Sequence, residues 1–242
     1  MTRAFLFPGQ GSQAVGMGKA LAETFASARE VFQEIDDALG QKLSALMFTG
    51  PEETLKLTAN AQPALMAVSM AVMRVLEKEG GRPLSRLAGF VAGHSLGEYT
   101  ALCAAGCFSL ADTARLLRLR GSAMQAAVPV GVGAMAALLG VDLPVAREIA
   151  EASAEGEVCA AANDNAPGQV VISGHKGAVE RAVKLAAERG FKRSIMLQVS
   201  APFHCALMQP AADAMRTALE KTAMQAPAVP LIANVTAEEA VD

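Results

Sequence analysis

Ser95 stands in Gly93-His94-Ser95-Leu96-Gly97, a G-x-S-x-G pattern that follows the apolar run Leu87 to Ala92 and precedes a helical stretch to about Ala105. A serine flanked by glycines on a strand-to-helix turn is the arrangement of a nucleophile elbow. The glycines let the backbone turn sharply and pack closely, which leaves the hydroxyl exposed. The helix N-terminus behind it offers free N–H groups and the positive end of a dipole to developing negative charge. Ser95-Leu96-Gly97-Glu98 also fits the capping box S-x-x-E, in which Ser95 would do no more than close a helix end. A cap needs no glycine on either side, and Gly97 weakens the helix it would begin.

A serine hydroxyl is a poor nucleophile until a base accepts its proton. Three histidines are available: His94, His175 and His204. His94 adjoins Ser95, and neighbouring side chains on such a turn point apart. His175 opens a helix inside a separate small pattern and reads as a solvated cap-region histidine. His204 follows Pro202 at a strand-to-helix junction, where loops from sheet ends gather functional groups, and is the base left by elimination; taken alone, it fits a structural histidine equally well.

These residues require elements to hold them. Arg3 to Phe7 reads as a buried strand stopped by Pro8-Gly9 and followed by the glycine-rich Gly9-Gln10-Gly11-Ser12. Helical patterns run from about Ala20 to Leu39, from Pro63 to Lys78 and from Ala111 to Gln125, and with the strand at Leu87–Ala92 they suggest a parallel sheet covered by helices. After Gly131-Val132-Gly133 the rhythm changes to strand (Ala134–Leu139), helix (Leu143–Ala154), strand (Glu157–Ala162), a tight turn over Asn163 to Gly168, strand (Gln169–Ser173), helix (Lys176–Arg189) and strand (Phe191–Val199). That βαββαβ order is the ferredoxin-like split motif. A helix from about Ala206 to Thr222 and a strand candidate at Pro230–Asn234 complete the chain. The expected organisation is α/β: a large subdomain with a parallel sheet over residues 1–129, a ferredoxin-like small subdomain inserted over 130–198, and a return segment over 199–242.

The composition excludes several classes. With 242 residues there is length for a sizeable core, and 52% apolar against 19% charged residues is a globular profile. A net charge of −3 without a basic run gives no support to nucleic-acid binding. Arg115, Arg118 and Arg120 are the densest basic cluster, but positions two apart on a helix do not share a face. Of the four cysteines, Cys103 and Cys107 sit at i, i+4 in an apolar helix and read as buried thiols; no metal set has the right spacing. The N-terminus lacks a signal-peptide pattern and no stretch reaches a membrane-spanning length, so a cytoplasmic protein is expected; a monomer is the expected state, though no residue pattern decides it.

Four motifs in order, Phe7-Pro8-Gly9-Gln10-Gly11-Ser12-Gln13, Gly93 to Glu98, Arg120-Gly121 with Met124-Gln125, and Ser200 to His204, resemble the malonyl-CoA:acyl carrier protein transacylases of fatty acid synthesis. The resemblance runs from residue 3 to the end. It implies an α/β-hydrolase-like large subdomain and a ferredoxin-like small one. It makes Ser95 the acylated residue, His204 its base, and the N–H groups of Gln10 and Leu96 an oxyanion hole. It assigns Arg120 to the malonyl carboxylate, which a guanidinium fork grips through two parallel hydrogen bonds. Phe203 implies malonyl rather than methylmalonyl use, its ring filling the space of an α-methyl group, and Met124 lies in the substrate-side motif. Asn163 with Asn165, and Lys192 with Arg193, correspond to positions that touch coenzyme A or the acidic carrier protein; a solvated surface is an equal reading. Acyl carrier protein is the implied partner, malonyl-CoA the substrate, and no cofactor or metal is required. In the family a further C-terminal segment brings a glutamine whose backbone orients the histidine; the 242 residues end before it. The competing readings are a hydrolase, which would want an acid such as Asp164 between serine and histidine, and a carrier-binding module without catalysis.

Overall fold

The computed structural model describes residues 3–197, 199 and 201–241. Ser200 of the Ser200–His204 motif and Gln198 of the expected strand Phe191–Val199 lie outside the described residues. The chain divides into two compact units, one of residues 1–121 with 215–242 and one of residues 122–214. Pattern reading placed these divisions at 129/130 and 198/199.

In the first unit the elements are β1 (Ala4–Phe7), α1 (Lys19–Thr24), α2 (Ala26–Leu39), α3 (Leu43–Thr49), α4 (Glu52–Leu55), α5 (Thr58–Lys78), α6 (Leu84–Leu87), β2 (Phe90–Gly93), α7 (Leu96–Ala104) and most of α8 (Leu110–Ala127). The second unit holds β3 (Gly133–Leu139), α9 (Leu143–Ala154), β4 (Cys159–Ala166), β5 (Gln169–His175), α10 (Lys176–Glu188) and β6 (Arg193–Met196). It continues into a 3₁₀ turn (Ala206–Met208) and α11 (Gln209–Leu219), whose later residues return to the first unit before β7 (Leu231–Ile232) and β8 (Glu239–Ala240).

The first unit's sheet has the order β1-β2-β7-β8, with β1, β2 and β7 parallel and β8 antiparallel to β7. Register is fixed from Ala4↔Phe90 to Phe7↔Gly93, so both strands end level and their following loops leave the sheet side by side. Val91 and Phe7 join Leu96, Ala101, Leu117, Met66 and Ile35 in one apolar core. Burying each of the larger side chains stabilises the unit by about 1.5–3 kcal/mol. α2 earns its place by spacing: Ala28, Val31, Phe32 and Ile35 recur at three- and four-residue intervals and are buried. The other edge of the sheet is plainer. β1 has β2 as its neighbour among the described residues, and Leu6 on it is 76% exposed beside Val68, Val72 and Leu76 of α5.

The second unit has the expected βαββαβ order, with an all-antiparallel sheet arranged β4-β5-β3-β6. α9 and α10 pack one face of it through Ala146, Ile149, Ala150, Ala178, Val179 and Ala182.

Several boundaries differ from the sequence reading. The helix expected over Ala20–Leu39 breaks at Phe25, whose backbone is extended (φ −117°, ψ 124°) while its ring packs on the core, so packing overrides propensity. α5 begins at Thr58 rather than at Pro63, which is tolerated inside the helix. The turn expected over Asn163–Gly168 contracts to Pro167-Gly168, because β4 stays paired with β5 through two irregular steps, Ala161/Asn163 and Asp164/Ala166. A bulge absorbs residues that propensity assigns to a loop.

Candidate active site

The sharpest local feature of the first unit is the turn from β2 into α7. Ser95 has φ 55° and ψ −109°, a conformation that non-glycine residues rarely adopt and that costs on the order of 1–3 kcal/mol. The flanking glycines make it possible. A Cβ on Gly93 would overlap the carbonyl of Gly97, and one on Gly97 would overlap the carbonyl of Phe7 at the end of β1. The capping-box alternative fails on the same geometry. Ser95 makes no side-chain cap to α7, its φ is not that of an N-cap, and Glu98 Oε1 accepts a hydrogen bond from Asn234 N–H at 3.0 Å.

Gln10 and Leu96 each stand three residues beyond the level strand ends Phe7 and Gly93, so parallel register brings their loops together. His94 N–H donates to the Phe7 carbonyl at 3.0 Å, and Gly9 lies so close to His94 that a Cβ there would overlap its imidazole. Leu96 opens α7, and the next two N–H groups, those of Gly97 and Glu98, donate back to the His94 and Ser95 carbonyls at 2.9 and 3.1 Å. The Gln10 side chain is tied down, its Nε2 donating to Thr58 Oγ1 at 3.3 Å.

Arg120 reaches this turn from α8. Its Nη2 donates to Ser95 Oγ at 3.1 Å and its Nη1 to Gln62 Oε1 on α5 at 2.8 Å. The guanidinium also lies 5.6 Å from the centroid of the Tyr99 ring, a cation–π placement. Burial pushes the Arg120 pKa down, with Tyr99 and Glu98 opposing the shift, and burial pushes the Tyr99 hydroxyl up. Gly121 sets the spacing: a Cβ there would lie 2.5 Å from the Thr58 carbonyl oxygen, so α8 meets the first turn of α5 backbone to backbone. Arg118 goes elsewhere, its Nη1 donating to Asn60 Oδ1 at 2.6 Å, and Arg115 pairs with Asp112 at 3.0 Å. The three arginines therefore have separate partners.

The remaining residues singled out in the sequence belong to the second unit. His204 is exposed and has φ 60°. Its loop is packed tightly, since Gly133 leaves no room for a Cβ against the Pro202 ring and Cys205 Sγ donates to the Pro202 carbonyl at 3.2 Å. Phe203 and Met124 are buried in one apolar cluster with Val128, Met135 and Met208. Asn163 is half-buried in β4 opposite Val171, and Arg193 is exposed at the start of β6 opposite Leu139. β4 and β6 are opposite edges of the small sheet, so these two are not brought together; three strand spacings separate them, about 14 Å. Asp164 is exposed in β4 opposite Val170.

Sequence reasoning missed Gln62, Tyr99 and Asn234. Asn234 Oδ1 accepts from Ser95 N–H at 2.7 Å and its Nδ2 donates to the Gly93 carbonyl. Gln62 and Asn234 are single polar residues 33 and 139 positions from Ser95, with no local pattern to flag them.

Known proteins are similar to this chain over nearly its whole length. The family model for the acyl transferase domain matches residues 4–242. A malonyl CoA-acyl carrier protein transacylase of Escherichia coli K12 is 49% identical over 232 residues, which is 96% of this chain and 74% of that protein. The crystal structure of an acyl-carrier-protein-S-malonyltransferase from Bartonella henselae superposes with a TM-score of 0.96 at 62% identity, covering all of this chain and 77% of that one. A malonyl-transacylase in complex with its type II polyketide acyl carrier protein superposes with a TM-score of 0.94 at 43% identity, covering all of this chain and 77% of that one. With a strained serine turn between level parallel strands and a match over nearly its whole length, the chain belongs to the acyl transferase domain family.

Proposed function

We propose that this chain is a malonyltransferase that moves a malonyl group from coenzyme A to the phosphopantetheine thiol of acyl carrier protein, through a malonyl ester on Ser95. The observation that carries the reading is Arg120 Nη2 on Ser95 Oγ at 3.1 Å, which sets a fixed guanidinium beside the hydroxyl of a nucleophile elbow. Similarity to transacylases named for malonyl-CoA and acyl carrier protein, and to one solved with its carrier, supports the substrates.

In the first half-reaction Ser95 Oγ attacks the thioester carbonyl and His204 takes its proton. The N–H groups of Gln10 and Leu96 hold the oxyanion. Coenzyme A leaves as a thiol, with the proton returned from His204. The carrier thiol then attacks the seryl ester by the same route in reverse. Thioester becomes oxygen ester and then thioester, a balance that needs no cofactor or metal. Arg120 pairs with the malonyl carboxylate; an acetyl group would leave a buried cation without a counter-charge. Phe203 and Met124 shape the acyl side and exclude an α-methyl group. Asn163 and Arg193, on opposite edges of the small sheet, serve separate contacts with coenzyme A or the carrier. The enzyme acts as a cytoplasmic monomer.

Intact-mass measurement after mixing with malonyl-CoA tests this. One malonyl group is expected on the parent chain and none on Ser95→Ala, and transfer to carrier protein should exceed release of free malonate. A labelled Ser95→Ala chain, or malonate as the main product, refutes the reading.

A further inference from the structure

We propose that Asn234 is a positioning residue for acyl transfer, its side-chain amide acting as an extra rung of the sheet that holds Ser95 in its strained conformation. The inference rests on the malonyltransferase reading given above. It starts from a problem in backbone accounting. β2 and β7 are paired at Val91↔Leu231 and Ala92↔Ile232. Beyond Ala92 the chain leaves the ladder for the elbow, and the Gly93 carbonyl and Ser95 N–H lose the partners that a continuing strand would give them. Unmet backbone groups at this turn would favour relaxation of φ 55° at Ser95 toward ordinary backbone angles.

Asn234 lies two residues past the end of β7, beside the point where β2 departs. A primary amide is a side-chain copy of a peptide group, carrying an acceptor and a donor at opposite faces. Here both are used on the same turn: Oδ1 accepts from Ser95 N–H at 2.7 Å and Nδ2 donates to the Gly93 carbonyl. The two contacts bracket the residues on either side of His94, so the turn is gripped across its bend. Asn234 is itself oriented, because its backbone N–H donates to Glu98 Oε1, in the first turn of α7, at 3.0 Å. Glu98 thereby links the helix that begins at the elbow to the strand end that clamps it. The Ser95 N–H is engaged by Asn234 Oδ1 and so serves the turn. Neither an isosteric carboxylate nor a truncated side chain reproduces this: aspartate at neutral pH would accept from Ser95 but face the Gly93 carbonyl with a second lone pair, and alanine would leave both groups to water.

The experiment follows the rate of Ser95 malonylation by rapid-quench intact mass, at saturating and sub-saturating malonyl-CoA, for the parent, Asn234→Ala and Asn234→Asp. Asn234→Ala should acylate on the order of 10–10² times more slowly, since a sub-ångström displacement of the attacking oxygen is costly in rate. Its half-saturating concentration of malonyl-CoA should stay within about twofold of the parent's, because the groups that grip the substrate are untouched. Asn234→Asp should be at least as slow at pH 7.5. Its rate relative to the parent should climb several-fold as the pH is taken toward 5, because the minor protonated fraction, which again presents one donor and one acceptor, grows about tenfold per pH unit. A role confined to stability would instead lower the amount of folded protein without moving this relative pH profile. Variants that match the labelled parent, or an Asn234→Asp to parent ratio that is flat with pH, overturn the proposal. A parent chain that takes no label overturns the malonyltransferase reading first.

Discussion

Gly121→Ala sets two physical effects against each other. Inside a helix, alanine is favoured over glycine by about 1 kcal/mol, so propensity alone makes the variant more stable. Gly121, however, meets the first turn of α5. An added Cβ would lie 2.5 Å from the Thr58 carbonyl oxygen and 2.6 Å from Ala59 Cα, where ordinary contact begins near 3.4 Å. Both neighbours are backbone, so α8 must retreat by roughly 0.9 Å, and overpacking of this kind costs about 1–3 kcal/mol. The same retreat lengthens the 2.8 Å bond from Arg120 Nη1 to Gln62 Oε1 to about 3.7 Å, beyond hydrogen-bond range. The guanidinium then loses the anchor that aims it at Ser95 Oγ. The propensity gain offsets about 1 kcal/mol of that cost and the lost hydrogen bond adds about as much back, so net destabilisation should be on the order of 1–3 kcal/mol, a fall in melting temperature of about 2–10 °C for a chain of this size. Malonyl transfer should lose about 10² in kcat/KM, with the slower acetyl transfer much less affected, because the fault lies in the carboxylate-binding group. Scanning calorimetry and transfer assays with both acyl donors read the two effects. The internal comparison is Gly177→Ala in α10, where a Cβ would meet only the flexible ends of Arg181 and Glu157 at 3.4 Å and the melting temperature should rise. A Gly121→Ala chain that melts higher than the parent and keeps its malonyl preference refutes the reasoning.

Three further outcomes are expected. Arg120→Ala should lower malonyl transfer by about 10²–10⁴ and erase its preference over acetyl, a loss of two charge-assisted hydrogen bonds of about 1.5–3 kcal/mol each, checked by competition between the two donors. Gly97→Ala should yield little folded protein with an acylatable serine, because its Cβ would overlap the Phe7 carbonyl; normal malonylation would show that the elbow tolerates a side chain there. Burial pushes the Cys103 and Cys159 thiols up to about 11 from an ordinary 9.0. The fold holds the neutral thiols, so their stabilisation is complete below pH 9 and is lost as the pH rises through 11; melting temperatures should fall across that window, and by less in Cys103→Ala.

The sequence made the fold legible wherever chemistry leaves a local trace. Gly93 and Gly97 were readable because a sharp turn against a neighbouring strand excludes any Cβ, and the βαββαβ order was readable because period and turn residues alternate plainly from Gly133 to Met196. Arg120 could be chosen over Arg115 and Arg118 only by resemblance, since helical spacing does not say which arginine meets a cavity and which meets Asn60 or Asp112. Gln62 and Asn234 were invisible for a related reason. Their roles come from contacts between elements far apart in the chain, and a lone amide on a helix or after a short strand carries no periodic signal. Asn163 was misplaced because asparagine, aspartate, proline and glycine in succession favour a turn, whereas the ladder with β5 carried the strand on to Ala166.

The bare flank of β1 bears on how every rate above should be measured. A strand with one neighbour among the described residues presents a row of unused peptide groups, and Leu6 with Val68, Val72 and Leu76 makes the surface beside it greasy. Such a flank invites a second molecule to line up along it. Specific activity should therefore be recorded over a dilution series, and a turnover that drops as the sample is concentrated would mark self-association at this flank rather than any fault in the catalytic serine.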